Sequence, residues 1–589
     1  MPLRGVSRLS LDLARPFKAA RYEPGLGTGL LVNWVGRVCY LAWAHAYLGD
    51  ETRLLAEQVQ PYLLDILDKI EMPEPIYVVS HIAVWQDRCS VGDPDAIIQR
   101  LSEIFDDGKR YSPAARFAAG EVLATAVGAR SGVSSRMRAK QVLEQFPDCR
   151  PSSRLQLLGT AYREDPEAIA LHIGKLIDAA RSHHRQVEED APDPLDVHIA
   201  RGRTWSIAIG PVADLVRAGN TEPALALLGA WFGLAETQGR KDDVLFAMRE
   251  MNGIWWARQG RAKVVEAEQS DLLDLLNEAL DTSLVDPGRI SQSVREVSRG
   301  GKPNLDTGDS LHTACARGLR PEAAVAVCNA IASDPAAVVN MVLERAPLAF
   351  LIAEAGGPVL PTVTSMEAPL ADRSVERAQL WVGDSVGADE EIRAVRAVLS
   401  EAGAEVEVVR AADAGVTRFR DEYQRKDLDL LWVTGHAEFG HQWVEDTKLI
   451  LSSTKALSLR DLMGLPRLRN GRRLLVLNSC ESGTVAGLGG PSTVGIGGML
   501  AGGGQAVVSH LWPVGYREAA RFGGLLALGL ARDRGFLPAF DFALRKIIDG
   551  PDAVRDALHT HAATGELADR WDPADSHTFL GVASPCLLE

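Results

Sequence analysis

Two short stretches of the chain carry residues able to do covalent chemistry. The apolar run Leu428–Val433 leads into Thr434-Gly435-His436, and the apolar run Leu474–Leu477 leads into Asn478-Ser479-Cys480-Glu481-Ser482-Gly483. Continuous apolar runs of this length, bounded by turn residues, predict strands buried on both faces. In an open α/β sheet, ligands gather beyond the carboxyl ends of the strands. The two strands would therefore present an imidazole and a thiol at one edge. A thiol attacks an acyl carbon well only as thiolate, and an imidazole can take its proton or stabilise its charge. The tetrahedral oxyanion then needs backbone N–H donors, which the turn at Gly435 and the Cys480 amide can supply. A small core thiol beside a merely hydrogen-bonded histidine fits the same pattern, so both readings stand at this point.

A third apolar run, Ala506–Val508, leads into Ser509-His510-Leu511-Trp512 and makes His510 the second candidate base. Other apparent motifs fail on spacing. The histidines of His436-Ala437-Glu438-Phe439-Gly440-His441 are five residues apart, where a zincin needs four. The glycines from Gly487 to Gly504 lack the Lys and Ser/Thr of a phosphate-binding loop. They are expected to form a flexible loop and a closely packed helix. His183-His184 has no companion ligand at metal spacing, so a solvated loop over Arg181–Pro194 is expected. No metal and no cofactor is expected.

The elements that position these residues alternate from about residue 376 onward. Leu380–Val382 and Val406–Val409 read as strands, and Glu390–Ala402 and Arg418–Lys426 read as helices. With the three apolar runs, this alternation predicts a parallel sheet covered on both faces. Before it, about residues 25–355 carry a helical pattern, as in Ala114–Val127, Glu167–Ala180, Val244–Arg258 and Leu272–Leu280. Three helix starts there, Asp93-Pro94, Asp165-Pro166 and Asp334-Pro335, offer Asp as N-cap and Pro at the first helical position. Their separations are unequal, so irregular helix pairs or a bundle are expected rather than a regular array. Asp286–Asp309 reads as a connector, and Trp255-Trp256 as core. The fold class expected is α + α/β: an N-terminal segment (1–24), a helical region (25–355), a proline-bearing linker (356–375) and a sandwich with a mainly parallel sheet (376–589).

The chain has 589 residues with 63 Lys and Arg against 78 Asp and Glu, a net charge of −15. That balance speaks against general nucleic-acid binding. Seven cysteines, an odd number and sparse, predict reduced thiols and a cytoplasmic location. The first residues are basic but lack an apolar h-region. The apolar stretches Leu30–Leu48 and Ser482–Tyr516 are interrupted by polar, charged or glycine residues, so no membrane span is expected.

Taken together, Leu430-Leu431-Trp432-Val433-Thr434-Gly435-His436, Leu475-Val476-Leu477-Asn478-Ser479-Cys480-Glu481-Ser482-Gly483 and Gln505-Ala506-Val507-Val508-Ser509-His510-Leu511-Trp512-Pro513-Val514 closely resemble a CHAT domain, a family of caspase-like cysteine peptidases often carried behind tetratricopeptide-type helical repeats. The resemblance covers about residues 376–589, including the closing Trp571…Thr578-Phe579-Leu580-Gly581. It implies a caspase-type αβα sandwich with His436 as base and Cys480 as nucleophile. It further implies a protein substrate and a helical half that senses a trigger or holds a regulatory partner, in some members in bacterial defence or cell death.

The sequence departs from the family in two places. Ala437 follows the histidine where Gly is common, although its N–H still serves an oxyanion hole with those of Gly435 and Cys480. Gly515-Tyr516 follows Val514 where an acidic residue is common. Asp429, Glu481, Ser509, His510 and Trp512 are the candidate substrate-binding residues. Asp427, Asp429 and Glu481 favour a basic residue before the cleaved bond. A catalytically inactive scaffold that binds protein partners is the alternative function, and hydrolysis of a small amide by the same dyad is a third.

Overall fold

The structure, a computed structural model, describes residues 93–241, 244–247, 339–342 and 348–589, apart from short gaps within the first and last of these ranges. Outside the described residues lie the expected helix start at Asp334, the helix Leu272–Leu280, the connector Asp286–Asp309, Trp255-Trp256, Leu30–Leu48, His441 and Trp571–Thr578. The chain divides into two compact units, Met1–His183 and His184–Glu589.

The first described helices follow their capping signals. In α1 (Pro94–Asp106) and α5 (Pro166–Leu171), the Asp93 and Asp165 carboxylates accept the N–H of Ala96 and Ala168 at 3.1 Å. Each satisfies one of the amides a helix start leaves unpaired. Between them run α2 (Pro113–Thr125), α3 (Ser135–Gln145) and α4 (Pro151–Ala161). The stripe Ile97, Leu101, Ile104 and Phe105 buries the inner face of α1. Two expectations need correction. Glu167–Ala180 is not one helix, because α5 ends at Leu171. The loop expected over Arg181–Pro194 is helical as far as Asp190, since α6 runs over Ile173–Asp190. Its His184 ring is held between the Arg201 guanidinium (3.0 Å) and the Glu188 carboxylate (3.1 Å). Three further helices follow: α7 (Pro194–Arg203), α8 (Trp205–Arg217) and α9 (Thr221–Trp231). Val244–Ala247, expected to be helical, is a strand paired in parallel with Val339–Val342.

The second unit is built on a six-stranded sheet. Its strands are β1 (Arg377–Val382), β2 (Glu405–Arg410), β3 (Leu430–Thr434), β7 (Arg473–Asn478), β8 (Gln505–His510) and β9 (Pro585–Leu588), in the spatial order β9-β8-β7-β3-β1-β2. All neighbours are parallel except β8 and β9. β3 and β7 are buried at every residue, which is why they read as unbroken apolar runs. Side chains alternate between faces. Leu380, Trp432, Leu474, Val476 and Val508 pack under α10 (Leu348–Glu354), α11 (Ala388–Glu401) and a later group of helices. That group comprises α15 (Tyr516–Arg532), α16 (Phe536–Ile548) and α17 (Pro551–Leu558). On the other face Trp381, Leu431, Val433, Leu475, Leu477 and Val507 pack with α12 (Val416–Tyr423), α13 (Leu459–Met463) and α14 (Ile496–Leu500).

Leu195 and Ile199 of α7 belong to this second core, and Arg460 of α13 pairs with Asp193 and Asp196. Helix α14 is the packed helix expected within the glycine-rich stretch. A three-stranded antiparallel sheet, β4 (His436–Glu438), β5 (Lys448–Ser452) and β6 (Lys455–Ser458), branches off after β3. Two last helices, α18 (Ala562–Arg570) and α19 (Phe579–Val582), precede β9. Among the described residues no helix is long and apolar enough to cross a membrane.

Candidate active site

Thr434, the last residue of β3, is the register partner of Asn478, the last residue of β7. Neighbouring strands lie about 4.8 Å apart. His436 and Cys480 each follow that pair by two residues, so they leave the sheet at the same carboxyl edge. Beyond Thr434 the chain passes Gly435 and enters β4, where His436 is paired with Ile450. The alternation of β4 exposes His436 and buries the methyl group of Ala437 in the core beside β5. The Ala437 departure is thus absorbed by packing.

This exit is tightly built. Gly383, just past β1, donates its N–H to the Thr434 carbonyl at 2.8 Å. A Cβ on Gly383 would lie 2.4 Å from that carbonyl oxygen and 2.9 Å from the Gly435 Cα. Backbone atoms cannot swing aside as a side chain can. Gly383→Ala is expected to lower stability by about 1–3 kcal/mol, the range for forced overpacking. Thermal denaturation tests this, and an unchanged melting temperature would show that the crossing yields without cost.

On the Cys480 side the chain turns sharply. The Ser482 hydroxyl lies 2.8 and 2.9 Å from the Ser479 and Leu477 carbonyl oxygens and accepts the His510 N–H at 3.2 Å. Gly483 donates to the His510 carbonyl and Gly497 to the Ser482 carbonyl, both at 2.8 Å. Cys480 is half-buried within this anchored turn, its Sγ 3.6 Å from the Val514 carbonyl. Glu481, at φ 55°, is the single non-glycine residue with positive φ among the described residues. Left-handed backbone costs a non-glycine residue on the order of 1–3 kcal/mol and concentrates at functional turns. The Glu481 carboxylate is buried and accepts the Phe439 N–H at 3.5 Å. Phe439 directly follows β4, so the residue after the candidate nucleophile is tied to the strand bearing the candidate base.

Several candidate substrate-binding residues lie elsewhere. Asp429 precedes β3 and so sits at the amino edge of the sheet, opposite Cys480. There it accepts the N–H groups of Glu376 and Arg377 at 3.1 and 3.0 Å. Asp427 shares that edge, where Arg425 and Arg377 hold its carboxyl well below the usual range. Glu481 faces Phe439. These three carboxylates are thus engaged by Glu376 and Arg377, by Arg377 and Arg425, and by Phe439, and do not support a basic preference. Ser509, His510 and Trp512 are buried, and the Ser509 Oγ is 3.3 Å from the Cys586 Sγ. Burial pushes the His510 imidazole down to about 3, and its Nε2 contacts the Asn478 Oδ1 at 2.6 Å. An inward-facing imidazole of that kind cannot serve as the exposed base.

Near Gly515, where the resemblance leads one to expect an acid, Glu518 from the first turn of α15 folds back into the space a side chain at 515 would take. Burial pushes its carboxyl up. Glu391 was not singled out by its sequence, yet the structure brings it beneath the site. A signal existed: Glu391 shares the buried stripe of α11 with Val395 and Val398, at helical spacing.

Among the described residues, no group of three or more His, Cys, Asp or Glu could hold a metal ion. Residues 310–563 match the family model of the CHAT domain. The C-terminal part of the chain thus carries a CHAT domain, a caspase-like, peptidase-related scaffold. No curated protein matches the chain.

Proposed function

We propose that this CHAT domain is a cysteine endopeptidase with His436 as general base and Cys480 as nucleophile. The observation that carries the reading is the register of Thr434 with Asn478, from which both residues emerge at one sheet edge. The Cys480 thiol gives its proton to His436, and the thiolate sulfur bonds to the peptide carbonyl carbon. N–H groups from Gly435, Ala437 and Cys480 are the proposed donors to the oxyanion. The tetrahedral adduct collapses to a thioester as the amine leaves with the proton from His436. Water, deprotonated by His436, then attacks the thioester and releases the acid and the thiolate.

The helical residues are proposed to carry a regulatory partner. Support comes from α7, whose Leu195 and Ile199 lie in the core behind the sheet and whose Asp196 pairs with Arg460 at 3.3 Å. Cys149, Cys480 and Cys586 are thiols outside any disulfide, which fits a cytoplasmic setting.

Thiol labelling separates this reading from an inactive scaffold. Burial pushes the Cys586 thiol up to about 12 and raises that of Cys149. At pH 7 an iodoacetamide probe, followed by peptide mass spectrometry, is expected to mark Cys480 well ahead of both. His436→Ala should slow that labelling by about tenfold or more, as loss of a thiolate-stabilising imidazole does. Equal labelling of Cys480 and Cys149, indifferent to His436, would favour the scaffold.

A further inference from the structure

We infer that Glu391 is a positioning residue for the candidate dyad, its Oε1 holding together the strand that carries His436 and the strand that carries Cys480. The inference rests on the dyad reading above. Glu391 lies on α11, packed over the sheet. Its Oε1 accepts the indole N–H of Trp432, on β3, at 2.8 Å, and an amide N–H of Asn478, on β7, at 2.7 Å. Trp432 is four residues before His436, and Asn478 is two before Cys480.

The Asn478 amide is fully committed. Its Nδ2 also donates to the Ala519 carbonyl of α15 at 2.9 Å, and its Oδ1 meets the His510 Nε2 of β8. Two acceptors on one side fix which end of the amide is nitrogen. The His510 Nε2 must then carry the hydrogen, which matches an Nδ1 left without a partner. Elements α11, α15, β3 and β8 thus converge, through one carboxyl and one amide, on the residue preceding the Ser479-Cys480 turn.

Helix α15 is shaped for this. It has Gly523 where a Cβ would lie 2.9 Å from the Glu391 Oε1. The charged groups beside Glu391 on its own helix point elsewhere, Asp389 to Arg410 and Glu390 to Arg570. The His510 ring is linked to Glu391 through the Asn478 amide. Burial accordingly pushes the Glu391 carboxyl up to about 8. A neutral acid still accepts both N–H groups. Removing the acceptor leaves two buried donors unpaired, and relaxation at Asn478 passes directly to the turn that aims Cys480. Misplacement by about 1 Å can cost on the order of a hundredfold at a reacting centre.

The test reads the pH dependence of Cys480 alkylation by iodoacetamide in the full-length chain, so no substrate is required. Glu391→Gln keeps the acceptor and is expected to retain the wild-type profile. Glu391→Leu is expected to move the midpoint toward that of His436→Ala and to slow labelling at pH 7 by about tenfold. Trp432→Phe, which removes one donor and keeps a ring, should move it less and in the same direction. A folded Glu391→Leu variant with the wild-type profile, beside a shifted His436→Ala profile, overturns the inference and spares the dyad. Should Glu391→Leu not fold, an unchanged profile in Trp432→Phe overturns it. An unchanged His436→Ala profile overturns the dyad and the inference with it.

Discussion

Cys480→Ala is expected to abolish peptide-bond cleavage while the fold survives. The substitution removes one sulfur atom from a half-buried position, so the melting temperature is expected to change by only a few degrees. On the proposed mechanism, by contrast, activity loses the atom that forms the acyl bond, an expected loss of at least about a thousandfold. His436→Ala should cost a comparable factor, because a thiol without its base is a poor nucleophile near neutral pH. The double variant should be scarcely worse than either single one, since residues that act as a unit are strongly non-additive. Cleavage of an unfolded protein mixture by the activated chain, read by mass spectrometry of new N-termini, provides the assay. Turnover retained by Cys480→Ala would sink the mechanism. Loss of peptide cleavage with retained hydrolysis of small amides by the wild type would turn the reading toward the small-substrate alternative.

The second large effect concerns Glu391 and stability against pH. Its carboxyl is fully buried, with an ordinary value of 4.5 raised to about 8 in the folded chain by loss of water, a rise that the Asn478 and Trp432 hydrogen bonds only partly oppose. Between those limits the folded state holds a proton that the unfolded state has released. The unfolded state binds fewer protons, so stability falls as pH rises. The contribution is fully present below about 4.5, declines toward 8 and is level above it. At about 1.4 kcal/mol per pH unit, the loss amounts to about 5 kcal/mol. Glu391→Gln does not titrate and keeps the same shape. Denaturant unfolding of the two chains should give similar stabilities near pH 4.5, with the variant pulling ahead by several kcal/mol at pH 8. Parallel curves would show that water or a counter-charge reaches the carboxyl.

Much of the sheet was legible because burial on both faces leaves a plain mark. β3, β7 and β8 stand in the sequence as continuous apolar runs, and their ends named His436, Cys480 and His510 as the groups to compare. The Asp-Pro starts of α1 and α5 were legible for a local reason, since a cap needs only its own first turn. The branch β4–β5–β6 was not legible. Its strands are short and pair antiparallel at the sheet's carboxyl edge, and nothing local distinguishes them from loop. β9 closes the sheet from the far end of the chain, and no local pattern reveals so distant a partner.

Candidate residues divide along the same line. Asp429 and Cys480 both adjoin buried strands, but one precedes its strand and the other follows, so the direction of the parallel sheet separates them. Sequence by itself determined that a thiol and an imidazole follow buried strands within an α/β arrangement, because apolar periodicity and turn residues act over a few neighbours. Only the tertiary structure decided that β3 and β7 are neighbours in a register that sets Thr434 against Asn478, that His510 turns inward, and that Glu391 joins the two strands. Those outcomes depend on which distant segments exclude water together, and side-chain partners are chosen there by geometry across the whole core.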